Sequence, residues 1–171
     1  MRIELDKLER LGGSFAHDYS PEELSLEDEN AVLRQPPKVC GRIDRSGAEV
    51  DLRGEISAEV GVECDRCLKP IAVEVETSFD VRYLPASEYR RGENHELKAD
   101  DLSLALFDGE AIDIDQLVRE QILLALPLRR LCRSDCRGLC PICGIDRNAS
   151  TCQCAIREPD PRWSALKDMR F

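Results

Sequence analysis

The sequence predicts an α+β fold, an antiparallel β-sheet with a packed helix and a C-terminal cysteine-rich zinc module. Three observations carry this reading. Apolar and charged residues alternate from about 37 to 84, apolar residues recur at helical spacing over about 113–126, and six cysteines crowd between Cys132 and Cys154. Period two is the mark of half-buried strands and period 3.6 that of an amphipathic helix. The organisation that follows is an acidic N-terminal lead-in over 1–36, sheet plus helix over 37–131, and the zinc-binding module with a terminal helix over 132–171.

Residues 1–30 hold nine acids against three bases, a local net of −6. Such a charge run reads as a solvated, partly mobile lead-in. Within it, Ser20-Pro21-Glu22-Glu23 has the capping-box form with proline at the first helical position, so a short helical turn is expected there.

Strand patterning begins at Pro37. Val39/Gly41/Ile43, Val50/Leu52, Ile56/Ala58/Val60/Val62 and Ile71/Val73/Val75 each alternate with polar residues, and Arg45-Ser46-Gly47 is a turn between the first two runs. Cys40 sits alone on the first strand between apolar neighbours and reads as a small core residue. The break Cys64-Asp65-Arg66-Cys67-Leu68-Lys69-Pro70 falls at a hairpin tip, so two thiols are presented there together.

Residues 85–111, with Pro85, Gly92 and Gly109, read as loop. Over 93–120 nine acids face Lys98 and Arg119, a local net of −7 that repels phosphates. A helix follows: Asp113 caps, Gln116 lies three residues on, and Ile114, Leu117, Val118, Ile122 and Ala125 share one face until Pro127 ends it. The last predicted element starts at Asp160-Pro161 and carries a Trp163/Leu166/Met169 stripe.

Nine cysteines against two histidines, with no secretory signal, point to a reducing cytoplasm and to metal or redox chemistry rather than cystine. The longest apolar run, Ile122 to Leu128, is far short of the ~20 residues of a membrane helix. In the C-terminal cluster, Cys140-Pro141-Ile142-Cys143-Gly144 has the form of a zinc knuckle, and the turn formers Asn148 and Ser150 bring Cys152 and Cys154 back towards it. Tetrahedral zinc takes four ligands, so six cysteines overfill one site. Adding the hairpin pair gives eight and suggests two four-cysteine sites: Cys140, Cys143, Cys152 and Cys154 locally, and Cys132 and Cys136 with Cys64 and Cys67 across the chain. A single zinc site is the alternative.

A thioredoxin-like role for Cys64 and Cys67 competes, but the pair lies between strands without a βαβ pattern. Catalysis finds little support, and the expectation is that the protein is not an enzyme and takes no small-molecule substrate. Catalytic zinc keeps an open position and commonly uses histidine or carboxylate ligands, whereas His17 and His95 lie in acidic, loop-like stretches and read as solvated. No nucleophile elbow, Walker loop or dinucleotide fingerprint is present.

The formal net charge of −10 excludes a generally basic nucleic-acid coat. The charge is divided, however. From Arg129 to Arg147, Arg129, Arg130, Arg133, Arg137 and Arg147 face only Asp135 and Asp146, a local net of +3 on the metal module. These five arginines are candidates for RNA contact, since guanidinium offers planar bidentate donors to phosphate. The structural alternative is that they neutralise anionic zinc–thiolate centres.

The hairpin Val62 to Pro70, the helix Asp113 to Pro127, Cys136-Arg137-Gly138-Leu139-Cys140-Pro141-Ile142-Cys143-Gly144 and the closing Asp160-Pro161-Arg162-Trp163-Ser164-Ala165-Leu166 together resemble the YceD family of large ribosomal RNA subunit accumulation proteins, over roughly 37–171. The resemblance implies a non-enzymatic role in synthesis, processing or stability of large-subunit ribosomal RNA. It implies as partners a large-subunit ribosomal RNA precursor or a basic large-subunit ribosomal protein. A protein-binding adaptor with purely structural zinc is the alternative, and a thiol oxidoreductase a weaker one.

Overall fold

The computed structural model describes residues 1–4, 12–89, 102–108, 111–154 and 162. Seven strands and one helix run in the order β1 (Arg2–Glu4), β2 (Gly13–Asp18), β3 (Ala31–Ser46), β4 (Glu49–Glu63), β5 (Pro70–Pro85), β6 (Leu104–Phe107), β7 (Ala111–Asp113) and α1 (Ile114–Ala125). Five strands form one sheet in the order β2-β3-β4-β5-β6, and β1 pairs with β7 in a second, two-stranded sheet. The architecture is α+β, as the sequence predicts, but β6 runs parallel to β5, so the sheet is mixed rather than purely antiparallel.

Register explains the core. Val39 lies opposite Ile56, Ile43 opposite Leu52, Val60 opposite Val73 and Val62 opposite Ile71, so one face of the sheet is a continuous aliphatic surface. Ile114, Leu117, Val118 and Ile122 of α1 join the same buried cluster. At the middle of this face Gly41 pairs with Gly54, with Phe15 beside Gly41 and Phe79 beside Gly54. A Cβ on Gly41 would sit 2.9 Å from the Phe15 ring, and one on Gly54 would sit 2.6 Å from the Phe79 ring. The two rings occupy the volume that side chains would otherwise take.

Several expectations are corrected. The stretch read as a solvated lead-in contributes β1 and β2, and Tyr19, Leu24 and Leu26 are buried. Its acids obscured a few well-placed apolar residues, and tertiary burial outweighed the local charge. The single turn expected at Ser20–Glu23 does form: Glu23 N donates to Ser20 O at 3.0 Å and the Glu23 carboxylate accepts from Ser20 N at 2.9 Å. β3 begins at Ala31, not at 37, because register shifts between Leu33 and Lys38 absorb Pro36 and Pro37. The loop read over 85–111 contains β6 and ends on the first residue of β7. Cys40 is exposed, since it lies opposite Glu55 on the polar face while its neighbour Val39 points inward.

The helix starts as read. Asp113 accepts from Asp115 N at 3.0 Å and Gln116 N at 3.3 Å, while the Gln116 side chain turns away to Glu120. Pro127 stops α1 at Ala125, which is exposed rather than on the packed face. His17 is half-buried, bonded through Nε2 to Glu23 at 2.6 Å and set edge-on to Tyr19. His95 and the terminal helix read over 160–169 lie outside the described residues, apart from Arg162.

Candidate metal centre

The β4–β5 hairpin ends in a tight loop that aims Cys64 and Cys67 the same way. Leu68 N donates to Cys64 O at 2.9 Å and Cys64 N to Lys69 O at 2.9 Å, with Leu68 in the left-handed region at φ 59°. The segment after α1 docks on this loop. Asp65 N donates to Arg130 O at 2.8 Å, and Arg130 N donates back to the Asp65 carboxylate at 2.6 Å. Further along, Leu139 N donates to Arg66 O at 2.9 Å, and Arg66 Nη1 donates to Cys136 O at 2.5 Å. Gly138, at φ 70°, lets the chains approach this closely, because a Cβ there would lie 2.8 Å from Arg66 O.

These contacts gather Cys64, Cys67, Cys132 and Cys136, with all four sulfurs within 4.8 Å of one another. Cys64 Sγ is 3.8 Å from Cys136 Sγ, and Cys67 Sγ is 3.6 Å from Cys132 Sγ. Disulfides require about 2.05 Å. Four sulfurs at about 2.3 Å from a tetrahedral zinc are about 3.8 Å apart. The donor set and its spacing fit such an ion.

The second group is local. Cys140 N donates to Ile145 O at 2.8 Å and Gly144 N to Cys140 O at 2.9 Å, with Gly144 at φ 73° completing the knuckle. Ala149 N and Ser150 N both donate to Asp146 O, and the chain turns back so that Cys152 and Cys154 join Cys140 and Cys143 within the same 4.8 Å limit. The structure thus groups the eight sequence-derived candidate ligands into two sets of four, each able to hold a metal ion.

Thiol acidity agrees with this arrangement. Burial opposes ionisation of Cys64, but the backbone N–H groups of Arg66, Cys132 and Cys67 outweigh it and hold the thiol at about 6. Burial and neighbouring thiols push Cys132 up to about 12. In the second group, the N–H groups of Cys143 and Ile142 bring Cys140 down to about 6, while the bond to Cys143 and burial raise Cys154 to about 12. Cys64 and Cys136 in the first group and Cys140 in the second are thus held below the ordinary thiol value, while Cys67, Cys132 and Cys154 are held above it. A dication supplies the charge that four crowded thiolates require.

Asn148 went unrecognised as a site residue. Its Nδ2 donates to Cys136 Sγ at 3.4 Å, and its Oδ1 accepts from Arg137 N at 2.7 Å and from Arg133 Nη2 at 2.9 Å. It therefore fastens the second module to a ligand of the first group, as second-shell partners of metal ligands do. Lys69 adds an ion pair to Asp146 at 2.9 Å, which holds the Asp146 carboxyl down at about 2. The only sequence signal was the turn-forming Asp146-x-Asn148 pattern.

The five arginines divide. Arg130 pairs with Asp65 at 3.4 Å and Arg133 with Asp135 at 3.3 Å. Among the described residues, Arg129, Arg137 and Arg147 have no carboxylate partner. No described helix is long and apolar enough to cross a membrane.

Comparison with known proteins extends this picture. An uncharacterized protein of Mycobacterium tuberculosis is 30% identical over 177 residues, covering 99% of this chain and 81% of that protein. The uncharacterized protein YlbN of Bacillus subtilis is 27% identical over 91% of this chain and 88% of its own length. The large ribosomal RNA subunit accumulation protein YCED homolog 1, chloroplastic, of Arabidopsis thaliana is 32% identical over 59 residues, 34% of this chain and 18% of that protein. No solved structure matches significantly. The family described as large ribosomal RNA subunit accumulation protein YceD matches residues 52–170, a span that takes in α1 and all eight clustered cysteines, and the chain belongs to this YceD family.

Proposed function

We propose that the protein is a non-enzymatic, cytoplasmic factor that supports synthesis, processing or stability of large-subunit ribosomal RNA during large-subunit biogenesis. The observation that carries the reading is the family match over 52–170, a span that takes in β5, α1 and both cysteine groups. Two zinc ions, one held by Cys64, Cys67, Cys132 and Cys136 and the other by Cys140, Cys143, Cys152 and Cys154, fix the C-terminal module on the sheet. Sites with four protein ligands leave no open position for substrate or water, which supports a structural role for the metal. Cys64 and Cys67 face two further thiols rather than a helix N-terminus, which argues for ligation over dithiol exchange. Arg129, Arg137 and Arg147, which have no carboxylate partner among the described residues, contact RNA, and the acidic surface meets a basic large-subunit ribosomal protein.

The test is genetic and physical. Deleting the gene should lower large-subunit relative to small-subunit ribosomal RNA, and the tagged protein should co-sediment with large-subunit precursors. Unchanged large-subunit RNA after deletion sinks the proposal. The intramolecular pairing of Arg130 and Arg133 favours a second reading, an adaptor that binds protein alone. In that case replacing Arg129, Arg130, Arg133 and Arg137 with Ala leaves partner binding intact, with RNA association at background both before and after.

A further inference from the structure

A small cavity of about 120 Å³ opens against the second cysteine group, lined by Arg137, Arg147, Ser150 and Thr151 on one side and by three of the four clustered cysteines, Cys140, Cys152 and Cys154, on the other. Among the described residues no carboxylate lines it. The nearest acid in sequence, Asp146, is engaged by Lys69. The backbone of three of the four polar residues is fixed by the folding of the module itself. Arg137 N is bonded to Asn148, Arg147 N to Gly138 O, and Ser150 N to Asp146 O. Two arginines and two hydroxyl-bearing residues thereby line one side of a single small cavity.

We propose that this cavity is a phosphate-binding pocket for RNA, with Arg137 and Arg147 as charged donors and Ser150 and Thr151 as neutral donors. The proposal rests on the RNA-contact reading above and narrows it from five arginines to two. Of the other three, Arg130 and Arg133 are spent on Asp65 and Asp135, and Arg129 lies outside the cavity. Arginine suits the task because its planar fork can bond two phosphate oxygens at once. A pocket that takes one phosphate and no base anchors RNA without reading its sequence.

The experiment uses the zinc-loaded full chain and a fluorescent single-stranded RNA oligonucleotide, with inorganic phosphate as a second probe. Arg137→Gln and Arg147→Gln should each weaken RNA binding about tenfold, the loss of one charged hydrogen-bonded contact. Each should also lower the salt slope by about 0.7, as expected for one lost phosphate contact on a single strand. Arg147→Lys, which keeps charge but lacks the fork, should fall between. Arg129→Gln should stay close to the parent. In the parent protein, titration with RNA or with millimolar inorganic phosphate should shift the Ser150 and Thr151 amide resonances. RNA binding that survives both pocket variants but not Arg129→Gln overturns the pocket while leaving the RNA reading in place. A parent chain that binds no RNA removes both. Loss of zinc from the pocket variants with RNA affinity unchanged shows that the arginines serve only as counter-ions to the cluster. Amides that respond to inorganic phosphate but not to RNA assign the pocket to a free anion and overturn the RNA proposal. Unmoved Ser150 and Thr151 amides overturn it whatever the variants do.

Discussion

In the first cysteine group Cys64 and Cys136 are fully buried, and the paired thiols are 65 and 72 positions apart in the chain. In the second, only Cys140 is buried, and every ligand comes from the stretch 140–154. Loop closure alone separates them little, because going from about 15 to about 70 residues adds only about 1 kcal/mol. Burial and position separate them more. The first group has its own apolar surround, Leu131 and Leu139, and joins the β4–β5 tip to the segment following α1. The second wraps around its own backbone and reaches the first through Asn148 and the Lys69–Asp146 pair. The same four-thiol chemistry therefore clamps two distant pieces of chain in one place and shapes a local loop in the other.

Cys136→Ser tests that contrast most severely. It should lower bound zinc from two per chain to one and destabilise the whole chain by at least ~3 kcal/mol, since structural zinc sites contribute roughly 10–16 kcal/mol of apparent binding free energy. Metal analysis and chemical denaturation read both quantities. Retention of two zinc ions breaks the assignment. Cys143→Ser should also cost one zinc but leave the sheet's unfolding midpoint nearly unchanged, with faster amide exchange confined to 140–154. Global destabilisation by this variant equal to that of Cys136→Ser abolishes the distinction between clamp and local loop.

Two glycines sharpen the comparison further. Gly138→Ala combines a left-handed backbone with a Cβ 2.8 Å from Arg66 O, so a loss of about 2–3 kcal/mol is expected. Gly144→Ala has the same backbone problem but open space around it, and should cost about 1 kcal/mol. Equal losses in thermal denaturation contradict the tighter docking at the first group. The smallest effect belongs to Asp146→Asn, which weakens the pair between the half-buried Asp146 and the exposed Lys69 and should change stability by less than about 1 kcal/mol. Combined with Asn148→Ala it should be non-additive, because Asp146 Oδ1 accepts from both Asn148 N and Asn148 Nδ2.

The sheet and the cysteine grouping were legible in the sequence because their signals are periodic or stoichiometric. Val50, Leu52, Ile56, Val60 and Val62 keep strict alternation, and eight cysteines divide by four. What escaped was short or paired only at a distance. β1 and β7 have three residues each, and β6 has four and sits at a sheet edge. Such pieces carry too little pattern to stand above an acidic background, and only tertiary pairing defines them. Cys40 was misplaced through its neighbours' composition, although alternation from Val39 already put it on the opposite face. Asn148 was legible as a turn former but not as a ligand's hydrogen-bond donor, since that role depends on which sulfur folds up beside it.

The bare patch at Gly41 and Gly54 bears on how such a chain can diverge. A Cβ at Gly41 would meet the Arg53 carbonyl before the Phe15 ring, and one at Gly54 the Cys40 carbonyl before the Phe79 ring, so strand spacing and ring are both tied to each glycine. Relatives that keep this close approach of β3 and β4 should keep both glycines, and those that acquire a side chain at either position should both spread the two strands there and shrink the ring facing it. The centre of the sheet then evolves in coupled pairs, while the polar face on the other side of the same strands drifts residue by residue.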